Sequence, residues 1–201
     1  MQGKASKLHM RKLLRQIPVL FLATTILLGG KFEGVPTAPV KIDLYTDFQC
    51  PGCRELHMGT LQFIKNDFVK TGKAYLTYHD IALPQHPYAR TAALYALAAQ
   101  QIGKYDDVAD ILFARQKEWG TNGKVDATVA EKLSPADMTK VRALIADKKI
   151  AAQFEADQTA ALKENLAQTP TIVFHHKLKR YPVTDGDYTF MKRFITELLS
   201  K

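Results

Sequence analysis

Strand character in this chain is confined to residues 40–80 and 171–183, and what separates the two stretches reads as helix. VKIDLY (40–45) has the apolar, β-branched make-up of a buried strand, and AYLTYHD (74–80) alternates with period two. Between them, Leu56, Leu61, Ile64 and Phe68 recur near helical spacing and Gly72 closes the run. That is a βαβ unit. From Pro84 to about Ala167 the chain is alanine-rich and helical throughout: PYARTAALYALAAQQIG, KYDDVADILFARQKEW, SPADMTKVRALIADKK and IAAQFEADQTAALKENLA. Ser134, Pro135 and Asp137 supply an N-cap, a proline whose missing N–H costs nothing and a first-turn acid. TIVFHH (171–176), a brief LKRYPV (178–183) and a helix from about Tyr188 to Leu199 then form a ββα ending. The order predicts an α/β protein, βαβ and ββα, interrupted by an all-helical insertion.

The chain of 201 residues is long enough to bury a full core without covalent staples. Its formal charge of +8 is concentrated at the start, where Lys4, Lys7, Arg11, Lys12 and Arg15 stand without an acid. Subtracting those five leaves +3 for the rest, an ordinary surface with no basic helix interleaved with aromatics; nucleic acid is not an expected partner. The apolar, uncharged IPVLFLATTILLGG (17–30) follows these cations, the pattern of an export signal and too short for a comfortable span. Residues 1–30 are therefore expected to be a cleaved signal peptide or an uncleaved signal anchor, and KFEGVPTAP (31–39) a linker. Export would place the protein in the periplasm or extracytoplasmic cell envelope, an oxidising compartment.

The only cysteines, Cys50 and Cys53, lie in DFQCPGC, where the first strand gives way to the first helix. A disulfide across two residues closes too small a loop to stabilise much. A cysteine at a helix N-terminus, by contrast, meets the positive end of the backbone dipole and amides without intrahelical partners, which favour the thiolate. Cys50 has that place, with Pro51 lacking an N–H and Gly52 leaving the sulfur unshielded; Cys53, nearly a turn on, can attack a mixed disulfide formed on Cys50. A copper or zinc site stays open as an alternative, because His57 lies one turn beyond Cys53; His175 and His176, adjacent on a strand, point opposite ways and make poor co-ligands. His79 and His86 read as loop or helix-edge residues with satisfied hydrogen bonds.

The strand leading into DFQCPGC, the stretch YHDIALPQHPYARTAALYALAA, the element ILFARQKEW and TPT at 169–171 together resemble the DsbA-like branch of the thioredoxin superfamily, over roughly residues 38–200. The resemblance implies a thioredoxin-like domain at 40–83 and 168–201 with a helical insertion domain at 84–167. It implies a thiol:disulfide oxidoreductase with Cys50 and Cys53 as the redox pair, and needing no cofactor beyond them. Pro170 would be a cis-proline facing Cys50, and Thr169 would offer backbone to an extended substrate. Many relatives carry an acid six positions before the first cysteine; Leu44 stands there, so Asp43 and Asp47 are the candidates for proton handling. Expected partners are cysteine-containing envelope or secreted proteins and a membrane partner that recycles the redox pair. With no room between the apolar run and the first strand for a dimerisation domain, a monomer acting as oxidase or dedicated reductase is expected. A thioredoxin-fold metal-binding module, or a chaperone with incidental redox activity, is the alternative.

Overall fold

The computed structural model describes residues 31–201, so the expected signal or anchor at residues 1–30 lies outside the described residues. One five-stranded sheet, ordered β1-β3-β2-β4-β5, carries the molecule. The central strand β2 (Val40–Thr46) pairs parallel with β3 (Ala74–Asp80) and antiparallel with β4 (Thr171–His176), which pairs antiparallel with β5 (Lys179–Val183). Residues 31–39 are not simply a linker. Phe32–Gly34 forms β1, antiparallel to β3, and the Lys31 carbonyl accepts the Tyr78 amide. The segment has no hydrophobic alternation to announce it. Its edge position is held by charge instead, with Glu33 accepting hydrogen bonds from Lys31 and the Tyr78 hydroxyl and pairing with Lys65.

The crossover helix begins as α1 (Pro51–Glu55), widens into a π-helical turn (Leu56–Thr60), tightens through α2 (Leu61–Ile64) and widens again over Lys65–Val69. Leu56, Leu61, Ile64 and Phe68 pack on Val40, Ile42 and Leu44 and, with Met191, Ile195 and Leu198 of the last helix, form the core on one face of the sheet. Tyr45, Ile81 and Val173 face the other way, against Ala161.

Six helices stand between β3 and β4: α3 (Ala89–Gln100), α4 (Tyr105–Ala114), α5 (Gln116–Asn122), α6 (Val125–Ala130), α7 (Pro135–Ile145) and α8 (Lys148–Lys163). α3 is buried on nearly every side, which its run of alanines permits by letting neighbours approach. Ser134 caps α7 by accepting from the Asp137 amide. α6 has no signal in the sequence, and KYDDVADILFARQKEW is two helices rather than one. At the break the Trp119 indole donates to the Leu112 carbonyl at 2.6 Å, taking the acceptor that continued helix would give to Gln116. The last helix, α9 (Tyr188–Leu199), is capped by Asp187, whose carboxylate accepts from the Phe190 amide. Among the described residues no helix is long and apolar enough to cross a membrane.

Candidate active site

Cys50 is the residue before α1, in extended backbone conformation, and its amide bonds back to the Asp47 carbonyl at 3.0 Å. Both cysteines are free thiols and belong to the core built by the insertion helices, so the redox loop lies where that core meets the sheet. Only 8% of Cys50 is exposed, and none of Cys53. Cys50 Sγ donates to the Thr169 carbonyl at 3.2 Å. The Thr169–Pro170 peptide bond is cis, and Pro170 Cδ lies 3.1 Å from where a Cβ on Gly52 would be. Residues far apart in sequence thus meet: Thr169 and Pro170 at the head of β4, Cys50 and Gly52 at the head of α1.

The surroundings drive the two thiols apart. A hydrogen bond from Cys53, opposed by partial burial and helped by Thr169 and the amides of Cys53 and Gly52, brings Cys50 down to about 5. Burial pushes Cys53 well above the usual thiol range, and the neighbouring Cys50 sulfur adds to it. The Thr169 hydroxyl is buried with no hydrogen-bond partner and lowers both thiols, as a donor available to whichever sulfur is ionised does.

The loop is clamped from the insertion. Gln116 of α5 donates to the Phe48 carbonyl at 2.7 Å and the Cys50 carbonyl at 2.9 Å; Gln49 donates to the Gly120 carbonyl at 3.2 Å and accepts from the Tyr88 amide; Arg54 donates to the Phe113 carbonyl at 3.0 Å. Sequence reasoning missed Gln49 and Gln116. The signal available was a polar residue on the buried side of an amphipathic run, which for Gln116 is legible only once the helix break is known.

Neither aspartate proposed for proton handling presents its carboxylate to the redox pair. Asp43 precedes Leu44 on β2 and therefore points to the opposite face, where its carboxylate meets His175 at 2.9 Å and His79 at 3.9 Å. Asp47 is fully buried, but its carboxylate accepts from the Gln49 and Leu83 amides and meets His86 at 2.8 Å, fastening the loop. Its amide, not its carboxylate, reaches Cys53, donating to Sγ at 3.4 Å. Leu44 lies in the core behind Cys53.

A groove of about 410 Å3 opens beside Gly52 and Pro170, walled by Glu55, Leu56 and Thr60 on one side and by Thr184 to Asp187 on the other. Among the described residues no group of three His, Cys, Asp or Glu side chains could hold a metal ion.

Two cysteines at the head of a crossover helix, facing a proline at the head of the returning strand, define a thioredoxin-fold protein. The thioredoxin family matches residues 28–191, and the chain belongs to it. It is 26% identical over 177 residues, 84% of this chain and 78% of the other, to the probable disulfide bond formation protein D of Bacillus cereus. Its fold matches BdbD of Bacillus subtilis with a TM-score of 0.67 at 24% identity, covering 86% of this chain and 94% of that one. It likewise matches alpha-DsbA1 of Wolbachia pipientis with a TM-score of 0.65 at 18% identity, covering 84% and 89%. Within the family the chain is a DsbA-like thiol:disulfide oxidoreductase.

Proposed function

We propose that the chain is an exported oxidoreductase that exchanges disulfides with cysteines of envelope or secreted proteins, with Cys50 as nucleophile and Cys53 as resolving thiol. The observation that carries this is the opposed pair of thiols: Cys50 brought down to about 5 beside the groove, Cys53 pushed up and shut away. A thiolate, not a thiol, attacks a disulfide. In the oxidising direction a substrate thiolate attacks Cys50 Sγ, the Cys50–Cys53 bond breaks, and the electron pair leaves on Cys53. A second substrate thiolate then attacks the substrate sulfur of the mixed disulfide and Cys50 leaves as thiolate. The substrate is oxidised by two electrons and the pair reduced by two, so no dissociable cofactor is needed, and a membrane partner would restore the disulfide.

Thr169 and Pro170 would seat the substrate chain, the Thr169 carbonyl accepting from Cys50 when it is protonated and the proline ring forming the wall opposite Gly52. Residues 40–83 and 168–201 would act as the thioredoxin-like domain and 84–167 as a helical insertion domain that shields Cys53. The protein would work as a monomer in the periplasm or extracytoplasmic envelope, delivered or tethered by residues 1–30.

Two measurements test the assignment. In single-cysteine variants Cys50 should alkylate with a midpoint well below that of a free thiol and Cys53 only at alkaline pH; faster reaction of Cys53 near neutrality overturns the roles. In the native host, Cys53→Ala should accumulate envelope or secreted proteins disulfide-linked to Cys50, and recovery of only cytoplasmic chains would refute export.

A further inference from the structure

Among the described residues no carboxylate or imidazole is hydrogen-bonded to Cys53, whose sulfur accepts from the Asp47 amide. Its sulfur must gain a proton when it leaves as thiolate and lose one before it attacks a mixed disulfide, yet it is fully buried, Leu44 stands behind it, and Asp43 and Asp47 turn their carboxylates elsewhere. Beneath Cys53 lies a cavity of about 10 Å3, room for the centre of a single water molecule. Leu44, Leu56, Leu61 and Phe113 supply its apolar lining, and Thr46, His57, Tyr78 and Tyr105 share the wall with Cys53.

His57 follows Cys53 by four residues, in the π-helical turn after α1, and lines the same cavity one turn along. Its ring packs against Phe113, with centroids 4.7 Å apart, and its Nε2 meets Asp110 Oδ1 of α4 at 2.7 Å. The His57 side chain is 7% exposed and that of Asp110 is 55% exposed, so this pair runs from the buried cavity to solvent. The other polar groups on the cavity lead inward. Tyr105 donates its hydroxyl proton to the buried Asp80, and Tyr78 donates its own to Glu33, which Lys31 and Lys65 also hold. The charged and titratable groups around His57 are Asp110, Arg54 on the Phe113 carbonyl, Cys53 on its own helix with Cys50 before it, Asp80 behind Tyr105 and Glu33 with its lysines behind Tyr78; Lys65 and Lys132 act on Asp110 from a distance.

We propose that His57, oriented by Asp110, exchanges the proton of Cys53 through the cavity, in place of the carboxylate that Leu44 does not provide. This rests on reading Cys53 as the resolving thiol. In ring closure the Cys53 thiol passes its proton to the neutral imidazole through one water. The Cys53 thiolate attacks Cys50 Sγ, the Cys50–substrate sulfur bond breaks, and the electron pair departs on the substrate thiolate. The imidazolium returns its proton to solvent past Asp110. In the opposite direction the imidazolium protonates Cys53 as it leaves. His57 acts through water and positions a proton without touching the substrate.

The test is a stopped-flow reaction of the reduced, purified protein with an aromatic disulfide that releases a coloured thiolate at each step. The first phase reports attack by Cys50 and the second reports closure by Cys53. A first phase that survives Cys50→Ala would refute the underlying thiol assignment, so that failure is read separately from the second phase. In the wild type, closure should accelerate with pH through one inflection. His57→Gln should remove that inflection and slow closure about tenfold to hundredfold at pH 7 while sparing the first phase. Asp110→Asn, at an exposed position that does not threaten folding, should move the inflection to lower pH, because the imidazolium loses its counter-charge. Leu44→Glu added to His57→Gln should recover most of the rate. A closure profile unchanged by Asp110→Asn and by His57→Gln would overturn the proposal and leave the pair as a structural tie between helices.

Discussion

Gly52 is where one side chain decides most. A Cβ there would lie 3.1 Å from Pro170 Cδ and 3.9 Å from Cys50 Sγ, so whatever residue occupies the position is held between the sulfur and the proline ring. Glycine brings neither charge nor a side-chain donor to the thiolate, whose stabilisation comes instead from Cys53, Thr169 and backbone amides. A stabilised reduced form is what makes a member of this superfamily a strong oxidant, at about −120 mV against about −270 mV for thioredoxin. The potential should fall between these limits, and Gly52→His should raise it by about 30 mV or more by adding a donor beside Cys50. Equilibration against glutathione buffers measures both; an unchanged or more reducing variant would contradict the argument. Gly52→Ala separates the steric part, since it adds the Cβ that Pro170 must yield to and no donor.

At the scale of elements, α5 is a seven-residue helix whose main work is done by Gln116. Its side chain is 6% exposed and satisfies two carbonyls of the redox loop at once, and the helix exists as a separate piece because Trp119 takes the Leu112 carbonyl. Gln116→Ala would leave the Phe48 and Cys50 carbonyls without that donor, at a cost of about 1–3 kcal/mol. The expected outcome is a lower urea midpoint together with slower alkylation of Cys50 near pH 6, as the loop that places the sulfur against Thr169 loosens. A stability loss with unaltered Cys50 reactivity would show that Gln116 supports the fold and not the thiol.

Across the whole molecule several side-chain hydrogen bonds tie the insertion to the sheet, among them Tyr105 of α4 to Asp80 of β3 and a pair between His79 of β3 and Asp157 of α8 at 2.8 Å. Burial alone would lower His79; the hydrogen bonds and charges of Asp157 and Asp43 outweigh it and raise it to about 9 from 6.5. Because the folded value is the higher one, the stabilisation is complete below about pH 6.5 and disappears as pH rises through about 9. It amounts to roughly 3 kcal/mol. Cys50 acts in the opposite sense in the reduced protein, its contribution growing as pH rises from about 5 and complete above about 9, so the oxidised protein is the one to measure. Its unfolding free energy should fall between pH 6.5 and 9, and His79→Gln should flatten that fall; an equal fall in the variant would place the titration elsewhere.

The sequence by itself determined the strands β2 to β5, the start of α7, the last helix and the place of the cysteines, because these rest on local periodicity or on a cap: Val40 to Tyr45, the alternation of Ala74 to Asp80, Ser134 ahead of Pro135. It also placed Thr169 and Pro170 near Cys50, through a resemblance and not through any local rule. What only the tertiary structure decided has no local signature. β1 is held by Glu33, Lys31, Lys65 and Tyr78 from three different segments. Asp43 and Asp47 are indistinguishable as acids in the sequence, yet pleat direction sends one to His175 and loop closure spends the other on amides. His57 carries no signal beyond its one-turn spacing from Cys53 until α4 brings Asp110 to one nitrogen and β2 leaves a cavity over Leu44. Local propensity acts over one turn or one pleat, whereas a proton path depends on which distant backbones come to rest against the same few ångströms of space.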